Sequence, residues 1–158
     1  MYQLNRVKQY LDSHQVPYGH VTHRTAFTAQ EVAAEEHIPG KLMAKTVILR
    51  VDDGFAMAIL PANARVDLAV LKQFLGANEV RLATEFEFTG MFSDCDVGAM
   101  PPFGNLYGLP VYVEESLTRD TEIVFNAGTH QDTIHMQYAD YARLVQPQVL
   151  SFALRHAA

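Results

Sequence analysis

A chain of 158 residues, 49% apolar, is long enough to bury its own core and fits a single domain spanning 1–158. It has no run near the roughly 18 apolar residues of a membrane helix and no signal-peptide core at its amphipathic start, and its one cysteine excludes an internal disulfide, so a cytoplasmic, reducing setting with no membrane partner is expected. The net charge is −6 and uneven: residues 1–72 hold eight Lys and Arg against seven Asp and Glu, and residues 73–158 hold four against eleven. Phosphate contacts dominate nucleic-acid affinity, so general binding to nucleic acid is disfavoured and any contact falls to the first half.

Residues 2–13 have helical spacing, with Leu4, Val7 and Leu11 on one face. A turn then leads into a short strand, VPYGHVTH, over 16–23. A helix is predicted over 28–37, opened by a capping box in which Thr28 caps and Glu31 reaches back. AKTVILRV and FAMAILPA flank Asp52-Asp53-Gly54, a hairpin signal. Asp67 and Gly76 bracket a helix with Leu68, Leu71 and Leu75 inward. Thr84 and Glu87 form a second capping box. Strands are predicted over 110–116, 121–128 and 132–137, and a closing helix over 138–145. The expected class is α/β of the α+β type, with hairpins rather than regular βαβ units. Neither Gly-x-Gly-x-x-Gly nor a phosphate-binding Walker loop is present, which argues against both common nucleotide-driven designs.

Several residues invite chemistry. Cys95 lies between Asp94 and Asp96, which raise a thiol pKa and disfavour a nucleophile. His20 and His23 are three apart on a strand and point to opposite faces, and His130 and His135 match no zinc spacing, so no metal site is expected. Glu85 and Glu87 suit the first turn of a helix rather than a catalytic pair. There is no Gly-x-Ser-x-Gly elbow. Lys45, at the edge of an apolar strand, either snorkels to solvent or points into a cleft. His130, in NAGTH, sits in a loop that either satisfies its own backbone or presents groups to a ligand. The stretch GAMPPFG over 98–104 concentrates glycine and proline around almost no ionisable chemistry. Without an obvious covalent nucleophile, a hydrolase built on this chain has to use water.

AFTAQEVAAEEHIPGKLMA followed by KTVILRV, then GAMPPFGNLYGLPVYVEESL, then IVFNAGTH, in that order and spacing, resemble the YbaK/prolyl-tRNA-synthetase-associated domain family from about His20 to Val145. The resemblance implies a single mixed-sheet, barrel-like domain with flanking helices. It implies hydrolysis of the ester of a mischarged aminoacyl-tRNA at its acceptor end, without metal or organic cofactor, beside or within an aminoacyl-tRNA synthetase as partner. It places the functional lysine on Lys45, the Gly-x-x-x-Pro loop on Gly98, Ala99, Met100 and Pro102, and the last turn on Gly128, Thr129 and His130. Phe27, Met43 and Ile59 are the expected apolar pocket residues near Lys45, and Lys8, Arg24, Lys41, Arg50 and Arg65 a possible basic surface. Two other readings stand beside this one: a non-catalytic module binding a tRNA 3′ end or a small acyl or nucleotide ligand, and a histidine-based metallohydrolase.

Overall fold

The computed structural model describes residues 3–155. Helix α1 (Gln3–Ser13) lays Val7 and Leu11 into the main core, while the side chain of Leu4 lies outside the described residues. Strand β1 (Tyr18–Thr22) leads to α2 (Ala29–Glu35). The predicted capping box is formed: Glu31 N–H donates to Thr28 Oγ1 at 3.0 Å and the Glu31 carboxylate accepts from the Thr28 amide at 3.2 Å. Strands β2 (Met43–Val51) and β3 (Gly54–Pro61) form the expected hairpin. Asp52 turns it with φ 50°, and its carboxylate accepts from the amides of Asn78 and Glu79, both at 2.8 Å. This tie delivers β5 (Val80–Leu82) to the far end of β2.

Strand β4 (Ala64–Val66) precedes α3 (Leu68–Leu75), which is capped by Asp67 and ended by Gly76 in the left-handed region at φ 62°. Helix α4 (Glu85–Phe88) carries the second capping box. Strands β6 (Val111–Glu114), β7 (Glu122–Asn126) and β8 (Asp132–Gln137) follow, then α5 (Tyr138–Val145). Beyond the predicted closing helix the chain adds β9 (Gln148–Leu150) and β10 (Ala153–Arg155), which sequence patterning does not show. Each is three residues long, too short for a period to register. β10 pairs with β4, and Phe152 is anchored by the buried Glu114 carboxylate, which accepts its amide at 3.0 Å.

The mixed sheet runs β1-β8-β7-β2-β3-β6-β9, with β5 joining β2 off that path. Three of the contacts are parallel (β2 with β7, β3 with β6, β6 with β9), and β1–β8, β8–β7, β2–β3 and β2–β5 are antiparallel. Three apolar clusters fill the interior. The largest joins α1, the sheet, the 88–103 segment and α5, with Phe103 stacked edge-on against Tyr141 at 5.3 Å and tilted against Phe125 at 5.5 Å. This mixed α/β architecture with flanking helices matches the class expected from the sequence.

Candidate active site

The site begins with a division along one strand. One edge of β2 is paired with β3 from Ala44 to Val51. The other edge starts parallel to β7, at Met43↔Val124 and Ala44↔Phe125, and ends antiparallel to β5, from Leu49 to Val51. Between these partners Lys45, Thr46 and Val47 have no strand beside them on that edge. A cavity of about 410 Å³ opens there. It is walled by Ala44, Lys45 and Thr46 of β2, Asn126 at the end of β7, Thr28, Ala29 and Gln30 where α2 begins, Ala62 after β3, and Gly98 and Met100 of the Gly/Pro loop.

Lys45 is half-buried, and its Nζ donates to the Ala62 carbonyl at 3.4 Å. Among the described residues no carboxylate pairs with it, and it is the only charged side chain in the cavity wall. Burial therefore lowers its pKa with nothing to restore it. Thr46 and Asn126 add a second feature. Thr46 Oγ1 and Asn126 Oδ1 are both closed to solvent and have no hydrogen-bond partner in the protein. Buried polar atoms in folded proteins are nearly always satisfied, so two orphans on one cavity wall mark the place as built for something else.

The Gly/Pro loop is stitched to the NAGTH turn by three hydrogen bonds. Asp96 N–H donates to the Gly128 carbonyl at 2.8 Å, Gly128 N–H to the Ala99 carbonyl at 2.9 Å, and His130 N–H to Asp96 Oδ2 at 3.2 Å. Both glycines are needed for this crossing: Gly98 has φ 88° and Gly128 φ 99°, where a side chain is strained. Ala99 N–H is used locally, donating to Asp96 O at 3.0 Å, whereas the N–H groups of Gly98 and Met100 make no such bond among the described residues. Behind the loop Pro101 and Pro102 are buried, and Tyr141 Oη donates to the Pro102 carbonyl at 2.7 Å.

Of the residues singled out in the sequence, Lys45, Gly98 and Met100 meet in one cavity. Ala99 is fully buried just behind the wall, and Pro102 supports the loop from the core side. Gly128 holds the loop, and Thr129 donates to Asp132 Oδ2 at 2.6 Å rather than facing the cavity. His130 stands behind Gly98, its Cε1 3.6 Å from where a Cβ there would lie, and its Nδ1 is buried without a partner. Phe27 is 66% exposed and packs edge-on against the His130 ring at 4.8 Å. Met43 and Ile59 are fully buried in two different core clusters, outside the cavity wall. The apolar part of the wall is thus Ala29, Ala44 and Ala62 with the expected Met100, rather than Phe27, Met43 and Ile59. Thr46 and Asn126 are not among the site residues expected from the sequence, although they lie in KTVILRV and NAGTH.

Alternative chemistry finds little support in the geometry. Burial, with Asp94 adding to it, pushes the Cys95 thiol up to about 12. Burial is the larger cause, where the sequence pointed to the flanking acids. His20 Nε2 lies 2.7 Å from Asp132 Oδ1, while His23 and His135 flank the buried Glu36 carboxylate at 3.5 and 3.0 Å. Among the described residues no group of three or more His, Cys, Asp or Glu is placed to hold a metal ion. No helix among them is long and apolar enough to cross a membrane. The basic surface is dispersed: Arg24 pairs with Glu35, Arg50 lies over Phe55 at 4.8 Å, and Arg65 shares a groove with Lys45.

Comparison with known proteins agrees with this arrangement. The family model for the aminoacyl-tRNA editing domain matches residues 23–144. A curated relative from Escherichia coli (strain K12), the multifunctional Ser/Thr-tRNA deacylase ProXp-y, is 34% identical over 97 residues, which are 61% of this chain. The match spans 58% of that relative's length. Among solved structures, a candidate trans-editing enzyme for prolyl-tRNA synthetase superposes with a TM-score of 0.82 at 21% identity, covering 99% of each chain. The hypothetical protein APE2540 superposes with a TM-score of 0.85 at 17% identity, covering 94% of this chain and 99% of that one. These two likenesses establish a shared fold. With the family model covering most of the chain, and the lysine strand, the Gly/Pro loop and the NAGTH turn converging as described, the chain belongs to the aminoacyl-tRNA editing domain family.

Proposed function

We propose that the protein is a trans-editing deacylase that hydrolyses the ester between a wrong amino acid and the 3′-terminal ribose of a tRNA. The observation that carries this reading is the cavity itself: among the described residues it has one lysine without an ion-pair partner, two backbone amides without a hydrogen-bond acceptor, and no thiol, carboxylate or imidazole in its wall. Such a site cannot form a covalent acyl-enzyme readily. It can hold an ester and stabilise charge on its carbonyl oxygen. Water attacks the carbonyl carbon, and the oxygen develops negative charge facing the Gly98 and Met100 amides. Donors fixed in this way can contribute roughly 3–4 kcal/mol each in a dry site. The tetrahedral intermediate collapses with cleavage of the ester C–O bond. The ribose oxygen leaves with a proton, and the products are free amino acid and uncharged tRNA. The substrate's neighbouring ribose hydroxyl relays the proton, accepting one from the attacking water as it passes its own to the leaving ribose oxygen, which spares the protein a general base.

Lys45 supplies positive charge for the terminal phosphate of the acceptor end. It also borders a second groove of about 550 Å³, lined by Val47, Val66, Leu68, Leu82 and Leu154 with Arg65. Apolar walls with two cations suit unpaired nucleotides, whose bases stack and whose phosphates need neutralising. Local cations of this kind let an acidic protein bind one end of a tRNA without general nucleic-acid affinity. The amino-acid class follows the E. coli relative, whose name is that of a Ser/Thr-tRNA deacylase. The test is a panel of tRNAs mischarged with Ser, Thr, Ala, Cys and Val. The wild type releases at least one amino acid, and Lys45→Ala loses on the order of 100-fold in rate with an unchanged melting temperature. Binding without release across the panel makes the protein a binding module. Full activity of Lys45→Ala removes the lysine from the mechanism.

A further inference from the structure

The orphaned oxygens on the cavity wall have a use that the hydrolytic step does not require. Thr46 and Asn126 come from strands that pair in parallel through Ala44↔Phe125, one residue short of Asn126. The strands then part, and both residues line the cavity that opens there. Asn126 is only 8% exposed, and both Asn126 Oδ1 and Thr46 Oγ1 are shut off from solvent without a protein partner. Folding leaves these groups dehydrated, at a cost that a well-matched ligand can recover.

We propose that Thr46 and Asn126 form the subsite that reads the side chain of the amino acid, selecting one that carries a hydroxyl group. The inference rests on the deacylase reading above and names the residues that give it specificity. A serine or threonine hydroxyl both donates and accepts. It can donate to the Asn126 amide oxygen and accept from the Thr46 hydroxyl, and it can equally serve the amide nitrogen. The small aliphatic neighbours Ala44 and Ala62 leave room for a short side chain and offer it no side-chain hydrogen bond of their own. The alternative occupant of a polar pair is the α-ammonium group. It is a poorer match, because the wall holds no carboxylate and its one charge is the Lys45 cation. Selection through a hydrogen bond is also stronger than selection by size. A site built around a substrate hydroxyl rejects the analogue lacking it far better than an apolar pocket rejects one methylene.

Thr46→Val and Asn126→Leu keep the shape of each side chain and remove the polar atom. Deacylation rates are measured for Ser-, Thr- and Ala-tRNA on the wild type and both variants, with thermal melts to confirm folding. Rates on Ser- and Thr-tRNA fall on the order of 10- to 100-fold, while the rate on Ala-tRNA holds or rises. A parallel fall on all three substrates means that the pair holds the α-ammonium or the backbone, and overturns the proposal. Unchanged selectivity overturns it as well. A binding arm separates this inference from the catalytic one. Non-hydrolysable 3′-seryl-amino and 3′-alanyl-amino adenosines are titrated into the wild-type protein. Preference for the seryl compound without turnover of any aminoacyl-tRNA supports the subsite and sinks the deacylase reading. Equal affinity for the two compounds sinks the subsite whatever the turnover. If a valine or leucine variant fails to fold, Thr46→Ala and Asn126→Ala remove the same polar atoms in the same two assays, and unchanged Ser-over-Ala selectivity in both counts against the proposal.

Discussion

The amide of Asp96 donates to the carbonyl of Gly128 at 2.8 Å, and this bond joins two turns that each hold a glycine at positive φ, Gly98 and Gly128. The return bond from Gly128 to Ala99 closes a small ring, so the Gly/Pro loop and the NAGTH turn form one rigid unit. Gly98 sits at its mouth with φ 88°.

Gly98→Ala tests that unit. The added Cβ makes only ordinary contact with His130 Cε1 at 3.6 Å, so the penalty comes from the backbone conformation rather than a clash. A cost of about 1–2 kcal/mol is expected, visible as a lower melting temperature. Deacylation should fall further than this stability loss explains, because the Gly98 amide moves with its backbone. An active variant with the wild-type melting temperature would show that the φ is not needed.

Gly104→Ala should be much more damaging. Its Cβ would lie 2.5 Å from Val111 Cγ2 and 2.8 Å from the Leu109 carbonyl oxygen. The second of these is backbone and cannot rotate away. Overpacking of this kind costs roughly 3 kcal/mol, and urea denaturation or loss of soluble protein should report it.

Tyr141→Phe removes the donor to the Pro102 carbonyl from a fully buried position. The stranded carbonyl costs about 1–3 kcal/mol. The loop loses its anchor on the core side, so chemical denaturation should show lower stability and kinetic assays a lower rate. Retained stability would mean that the carbonyl finds another partner.

Lys45 carries a stability penalty of its own. Its folded pKa lies below the ordinary 10.5 because burial disfavours the ammonium. The unfolded chain therefore binds that proton more tightly, and stability rises as pH climbs from the folded value towards 10.5. Lys45→Met should be at least as stable as wild type at neutral pH while inactive, and its advantage should shrink as pH rises through that window. Paired urea titrations at pH 7 and above pH 10 measure the difference. A variant less stable than wild type at neutral pH would contradict this account.

Glu36 is buried at the end of α2, accepts from Thr133 Oγ1 at 2.6 Å and lies against His23 and His135. Glu36→Ala leaves these groups without their partner and should destabilise by about 2–3 kcal/mol. It lies outside the cavity wall, so the rate of the folded fraction should be little changed.

Much of this molecule is legible locally. Thr28 with Glu31, Thr84 with Glu87, and Asp67 with Gly76 mark helix ends through contacts spanning a few residues, and all are realised. Asp52-Asp53-Gly54 turns the hairpin where it should. Lys45 and the loop from Gly98 were identifiable because their segments resemble a family. Met43 and Ile59 are apolar residues expected in the pocket near Lys45. Alternation along β2 and β3 carries both into the core instead.

The sequence by itself determined where the helices and main strands lie, because capping, turn chemistry and hydrophobic period act over neighbouring residues. It also marked the three segments that had to meet. Only the tertiary structure decided how they meet. β2 exchanges β7 for β5 along one edge, and the interval left between them is the cavity. That exchange depends on parallel pairing with a strand some eighty residues away, which leaves no local trace in the chain. For the same reason Thr46 and Asn126 look ordinary in sequence. They acquire meaning where the strands part and leave their oxygens buried without a partner.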